Sequence, residues 1–118
     1  MTTTSVRTIK QRWTSAWRNI ERRGVTTVIN NKSCCRSCAM AEFQVDLGLT
    51  DETELGWTYA GQGSGTYFYK DGSPKRNTTW IYHSGPNAGT IIADEMRAEG
   101  FEVTWDGSAG KAVLVTLS

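Results

Sequence analysis

Apolar residues recur at steps of three and four in three stretches of this sequence, and short β-branched or aromatic stretches lie between them. In a chain of 118 residues with no linker or internal repeat, that alternation predicts one α+β domain over residues 1–118. The expected sheet is mixed or antiparallel, of about five to six strands, with an N-terminal amphipathic helix and two further helices. A basic helix over residues 5–23 leads into an α+β core over residues 25–117.

The first helix is read from "SVRTIKQRWTSAWRNIERRG", where Val6, Ile9, Trp13, Trp17 and Ile20 fall on one stripe. Ser5 suits the cap at its start and Gly24 the left-handed residue past its end. Arg22 and Arg23 complement the negative end of the helix dipole. The stripe with its two tryptophans is expected to dock on a core rather than lie on a membrane surface, because the next element follows without a linker. "VTTVIN" is β-branched at almost every position and reads as a strand. "SCCRSCAMAEFQVDLGL" reads as a second helix capped by Ser33. "GWTYAG", "TYFYK" and "TTWIYHS" read as antiparallel strands, the middle one short, parted by "GQGSG" and "DGSPKRN". "SGPNAGTIIADEMRAEG" reads as a helix opened by Pro86 and Asn87, buried through Ala88, Ile91, Ile92 and Met96, and closed at Gly100. "FEVTW" and "KAVLVTL" complete the set as strands joined by the turn "DGSAG". If the strands flanking the last helix are sheet neighbours, that helix forms a right-handed crossover.

Composition narrows the function classes. No apolar run approaches the roughly 18 residues of a membrane span, so no membrane role is expected. The opening "MTTTSVRTIK" lacks the apolar stretch of a secretory signal, and three clustered cysteines do not suit a secreted disulfide framework. The expected location is the cytoplasm. The formal net charge is only +1, but its distribution is uneven. Residues 1–36 hold eight basic residues against one acid, and the remainder holds five against eleven. The N-terminal third could therefore meet an acidic surface, although a solvated helix face partly neutralised by the acidic half explains the same pattern.

All three cysteines lie within "SCCRSC". A helix N-terminus and Arg36 would both stabilise a thiolate there. Cys35-Arg36-Ser37-Cys38 is a C-x-x-C opening a helix, the local form of a thiol-redox site, but a lone C-x-x-C is a weak motif. Zinc needs four ligands, and His83, the only histidine, would have to join Cys34, Cys35 and Cys38. Adjacent side chains on a helix diverge by about 100°, which disfavours Cys34 and Cys35 on one tetrahedral ion. The favoured reading is packing, with Cys34 and Cys38 lining the helix's inner face beside Ala41 and Val45. No cofactor is expected, zinc being the alternative.

Taken with "WIYHSG" and "IIADEMRAEGFEVTWDG", the cysteine segment resembles an uncharacterised bacterial domain family. Its members carry a C-C-x-x-C motif after a short strand and a C-terminal helix, Gly turn and strand ending in W-D-G. The resemblance covers about residues 20–117, and rests most on Cys34, Cys35, Cys38, Trp105, Asp106 and Gly107. It implies a fold and no catalytic residues. The chain is also similar to accessory proteins carried by actinobacterial phages.

No other motif carries chemistry. "AGQGSGTY" lacks the Lys-Ser/Thr and the following helix of a phosphate loop, and the helix start at "SGPNAGT" offers an anion only what any helix start does. The aromatics are the unusual feature, five tryptophans and four tyrosines, with seven aromatic residues in the three central stretches. Too many lie there for all to be interior, so an exposed aromatic sheet face is expected, as a protein-binding or base-stacking surface. The overall expectation is a non-enzymatic protein that binds another macromolecule, a protein before a nucleic acid. Trp13, Trp17, Arg18, Arg22, Trp57 and Tyr59 are the candidate contacts. The alternatives are a zinc or thiol-redox protein using the cysteines, and nucleic-acid binding through the basic helix. Oligomeric state leaves no mark in the sequence.

Overall fold

A computed structural model describes residues 7–32, 36–48, 53–60 and 66–117. Among them are three helices and five strands: α1 (Ile9–Arg22), β1 (Thr26–Asn31), α2 (Arg36–Leu47), β2 (Leu55–Tyr59), β3 (Thr78–Ser84), α3 (Ala88–Ala98), β4 (Glu102–Thr104) and β5 (Val113–Thr116). The sheet order is β1-β2-β3-β5-β4, with β1 and β2 parallel and the other pairs antiparallel. This is the mixed sheet of an α+β domain.

Local chemistry explains the helix ends. α1 starts one turn later than Ser5 suggests, because Thr8 and Gln11 form a reciprocal capping box: Gln11 N–H donates to Thr8 Oγ1 at 3.1 Å, and Thr8 N–H to Gln11 Oε1 at 2.8 Å. Ser5 and Val6 lie outside the described residues. Both α1 and α3 stop in the same way, at a glycine with positive φ (Gly24, 93°; Gly100, 87°). Val25 N–H then reaches back to Ile20 O and Phe101 N–H to Met96 O, the paired bonds of a Schellman ending.

The expected middle strand is absent. "TYFYK" is not a strand, its one ladder contact being an isolated bridge from Phe68 to Pro74. The turn that follows is too tight for a longer ladder, with Asp71 Oδ1 accepting from both Ser73 N–H (2.9 Å) and Ser73 Oγ (2.6 Å). The condition for an adjacent-strand crossover is not met, because the strands flanking α3 are not sheet neighbours. β3 and β4 run parallel, with β5 between them.

The alternation of side chains along β2 sorts the interior into two cores. Leu55, Trp57 and Tyr59 face α2, where they pack with Ala39 and Phe43. Gly56 and Thr58 face the other way, toward α1 and α3. A Cβ on Gly56 would stand 2.6 Å from Ile92 Cδ1 and 3.5 Å from Trp17 Cζ3, so its bare Cα lets both helices close onto the sheet. That larger core holds Trp13, Trp17, Ile20, Ile81, Ile92 and Met96 among others. The inner face of α2 differs from the one expected. Ala39 and Phe43 are buried, whereas Ala41 is exposed and Val45 is 83% exposed. Two stripes at i, i+4 compete on this helix, and the one carrying Phe43 wins because its ring packs edge-on against Trp57 at 5.6 Å.

β1, an outer strand, ends in a bulge where Asn30 takes φ 57°. The Asn30 side chain acts there as a surrogate peptide. Its Nδ2 donates to Thr66 O at 2.9 Å, and its Oδ1 accepts from Thr66 N–H at 2.8 Å. Thr58 Oγ1 accepts from Asn30 N–H at 2.8 Å, and Thr66 Oγ1 lies 3.2 Å from Thr79 Oγ1 in the interior. Asn30→Gly keeps the backbone geometry and loses the clamp, and is expected to cost about 1–3 kcal/mol. Asn30→Ala adds left-handed strain and should be less stable again, by up to about 1 kcal/mol. Urea denaturation of the two variants checks this, and wild-type stability in Asn30→Gly would show that the clamp contributes nothing.

Candidate functional site

α2 covers only the β1–β2 half of its sheet face. The boundary is Tyr82 on β3, whose ring stacks on Trp57 (5.9 Å, 26°) and meets Tyr59 edge-on at 4.9 Å. Beyond it, Trp80 of β3 pairs with Leu114 of β5, and Leu114 pairs with Thr104 of β4, all three pointing to this same side. No described helix lies over them. The result is an apolar groove of about 470 Å³ floored by Trp80, Tyr82, Ala112 and Leu114, with Trp80 40% exposed. Asp106 and Lys111 stand at one end, 3.8 Å apart.

Trp105 forms the end wall and is held on three sides. Its indole N–H is shared between Ser108 O and Lys111 O, each at 3.1 Å. Its ring meets the buried His83 imidazole edge-on at 5.4 Å. Gly89 of α3 lies against both rings, since a Cβ there would be 2.7 Å from Trp105 Cζ2 and 2.8 Å from His83 Cε1. His83 Nε2 is 2.7 Å from Lys111 O. A carbonyl has no proton to give, so Nε2 carries the hydrogen and donates it. The loop after β4 is set by Asp106, whose Oδ1 accepts from Ser108 N–H at 2.9 Å. That bond and the nearby Lys111 ammonium hold the Asp106 carboxyl below the ordinary aspartate range.

The structure disperses the residues that sequence alone proposes. Trp57 and Tyr59 are buried in the smaller core, and Trp13 and Trp17 are buried in the larger one, with only their edges lining a shallow groove beside Arg18 and Ile29. Arg18 and Arg22 are exposed on α1, where the Arg22 guanidinium donates to Asn19 Oδ1 at 3.2 Å. Cys34 and Cys35 lie outside the described residues, as does the Cys38 side chain. α2, which carries Cys38, packs on one face of the sheet, and His83 points to the other toward α3. The sheet thus stands between His83 and α2, and His83 Nε2 is already engaged. The start of α3 is occupied too, because both carboxylate oxygens of Glu54 accept from Asn87 N–H, at 3.0 and 2.9 Å. Residues 61–65 of the glycine-rich stretch lie outside the described residues.

Trp80, Tyr82, Trp105 and Leu114 are what the candidate list missed. The signal was present as the alternation Trp80-Ile81-Tyr82-His83, which puts two aromatics on one side of β3. The alternation in "GWTYAG" is equal to it, so local pattern does not separate the two strands. With this geometry in place, comparison with known proteins adds one finding. A family model described as a domain of unknown function, DUF6891, matches residues 3–118. The chain belongs to that family. No curated protein and no solved structure matches it. Among the described residues, no helix is long and apolar enough to cross a membrane.

Gly89→Ala drives a methyl group into two rings, His83 on β3 and Trp105 in the loop after β4, that are held in place, and should cost about 1–3 kcal/mol. It should also move the Trp105 indole N–H resonance. An unshifted resonance with unchanged stability would mean that the wall is not held by this contact. The Asp106 carboxyl should titrate below an ordinary aspartate in a carbon-detected NMR titration. Because its folded-state value is depressed, the loop contact it supports is present above the ordinary aspartate pKa and is lost as pH falls through its own. An ordinary titration would show that the Ser108 contact does not persist in solution.

Proposed function

We propose that this chain acts by binding another protein through the open half of the sheet, without catalysis of its own. The single observation that carries the reading is the groove around Trp80, Tyr82 and Leu114, an apolar floor with polar groups at its end. Interface centres are enriched in Trp and Tyr and depleted of charge, and charged residues lie at the rim. A nucleic acid would need unpaired cations among these aromatics. Among the described residues, the one cation in the groove lining, Lys111, stands beside Asp106. A protein presenting an apolar side chain is the better match. Such a role suits a cytoplasmic accessory protein of bacteria or their phages, the setting suggested by the sequence resemblance.

Trp80 and Leu114 project outward from the sheet, so Trp80→Ser with Leu114→Ser should leave the melting temperature nearly unchanged. Loss of interface anchors of this type weakens binding by about 30-fold or more. A photo-crosslinking residue at Thr104, in cells that encode the protein, should give a discrete adduct that the double variant abolishes. An adduct of equal yield from the double variant, or none at Thr104 beside a clear one from Asp94 on α3, would overturn the proposal.

A further inference from the structure

The opposite side of the molecule carries a second surface, built from two basic segments far apart in sequence. α3 and its C-cap residue Glu99 present Asp94, Glu95 and Glu99 toward α1 and engage the arginines that flank it. Arg7 pairs with Glu99. Arg23 pairs with Glu95 at 3.0 Å and lies 3.7 Å from Asp94. Arg12 donates to Glu99 O at 2.8 Å and caps the Phe101 ring at 4.6 Å. Lys10 and Arg18 project from another side of α1 and, among the described residues, form no ion pair. Lys10, Thr14 and Arg18 follow one another at i, i+4 and i+8, so the two cations stand about 12 Å apart along the helix.

Facing them is the turn after Phe68. Lys10 N–H donates to Gly72 O at 3.0 Å, which fastens the turn to the first turn of α1. The fit is close, because a Cβ on Gly72, whose φ is 87°, would lie within 2.5 Å of Thr8 Cβ. The turn thereby places Lys70 across from Lys10 and Arg18, and the three line a groove of about 780 Å³. Asp71, the acid in that lining, is folded back onto Ser73. Tyr69 in this turn is 57% exposed with the Lys75 ammonium 5.4 Å from its ring centre, and Tyr67 just before it is 45% exposed with its hydroxyl directed at Ala60 O.

We infer that this groove binds the phosphate backbone of single-stranded nucleic acid, with Tyr69 as a stacking platform at its edge. Arg7 also lines the groove but is paired with Glu99, and the three cations outside ion pairs among the described residues supply charge complementarity to a polyanion. The exposed tyrosines among lysines favour a nucleic acid over an acidic peptide, because every base offers a π-face to stack on. The site shares no residue with the apolar groove and does not depend on it.

Fluorescence anisotropy with labelled oligo-dT and oligo-U of about 15 nucleotides tests the inference on the full chain. Three neutralised phosphates predict a log–log salt slope of about −2, or roughly 60-fold weaker binding between about 25 and about 200 mM salt. Lys10→Glu with Arg18→Glu should weaken binding at least about tenfold, and Lys70→Glu should do so independently from the turn. Tyr69→Ala should weaken it at least about fivefold without changing the salt slope. Circular dichroism would confirm that each variant is folded. No binding at low salt, or binding indifferent to the charge reversals, would overturn the inference. Displacement of the oligonucleotide by polyglutamate at equal charge concentration would assign the groove to an acidic protein segment instead.

Discussion

Strand β2 has to serve two cores at once, and the rest of the fold is arranged around that requirement. Its five residues are all buried, yet they divide sharply by size. Leu55, Trp57 and Tyr59 fill one side, and Gly56 and Thr58 leave the other almost bare. The bulky side is covered by α2, whose inward residues include Ala39 and Phe43 among the described side chains. The bare side is what lets α1 and α3 approach closely enough for Trp17 and Ile92 to meet over Gly56. Dense packing of this kind has a polar cost. The indole N–H groups of Trp17 and Trp57 are buried without an acceptor among the described residues, at about 1–3 kcal/mol each.

Because α2 is spent on the β1–β2 half, the aromatic face of β3 and β5 continues past its shelter. Tyr82 marks the point where the same row of rings passes from core to surface. The outer strands are protected in different ways. β1 ends in the Asn30 bulge, which breaks the ladder, and β4 is only three residues long. Charge is sorted by the same architecture. α3, lying beside α1, engages some of its arginines, and the cations on the outer stripe of α1 are left facing the turn at Lys70.

Much of the fold was legible from sequence, and the reasons are local. The 3–4 spacing of Ile9, Trp13, Trp17 and Ile20, the glycines that close α1 and α3, and the bounds of β3 all depend on neighbours within a few residues. The misreadings share one cause, which is that the residues offered two equivalent local answers. On α2, Ala39/Phe43 and Ala41/Val45 are both i, i+4 apolar pairs, and only Trp57 on the facing strand distinguishes them. "TYFYK" has strand composition, but the Asp71–Ser73 turn leaves it a single bridge. A partly exposed aromatic face is expected from sequence, but its candidate residues there are Trp57 and Tyr59, whereas Trp80 carries the exposed ring. β2 and β3 alternate alike, and nothing in either says which lies under a helix.

By itself, then, the sequence determined the fold class, the helices and their stops, and the presence of more aromatic side chains than one small core can absorb. These follow from short-range sterics, hydrogen bonding and side-chain volume. Tertiary structure alone decided which aromatics remain at the surface, that His83 and α2 fall on opposite faces of the sheet, and that Lys70 meets Lys10 and Arg18. Each of these depends on which face of a strand a distant helix covers. The free energy of that choice lies in contacts between segments tens of residues apart, which no local pattern encodes.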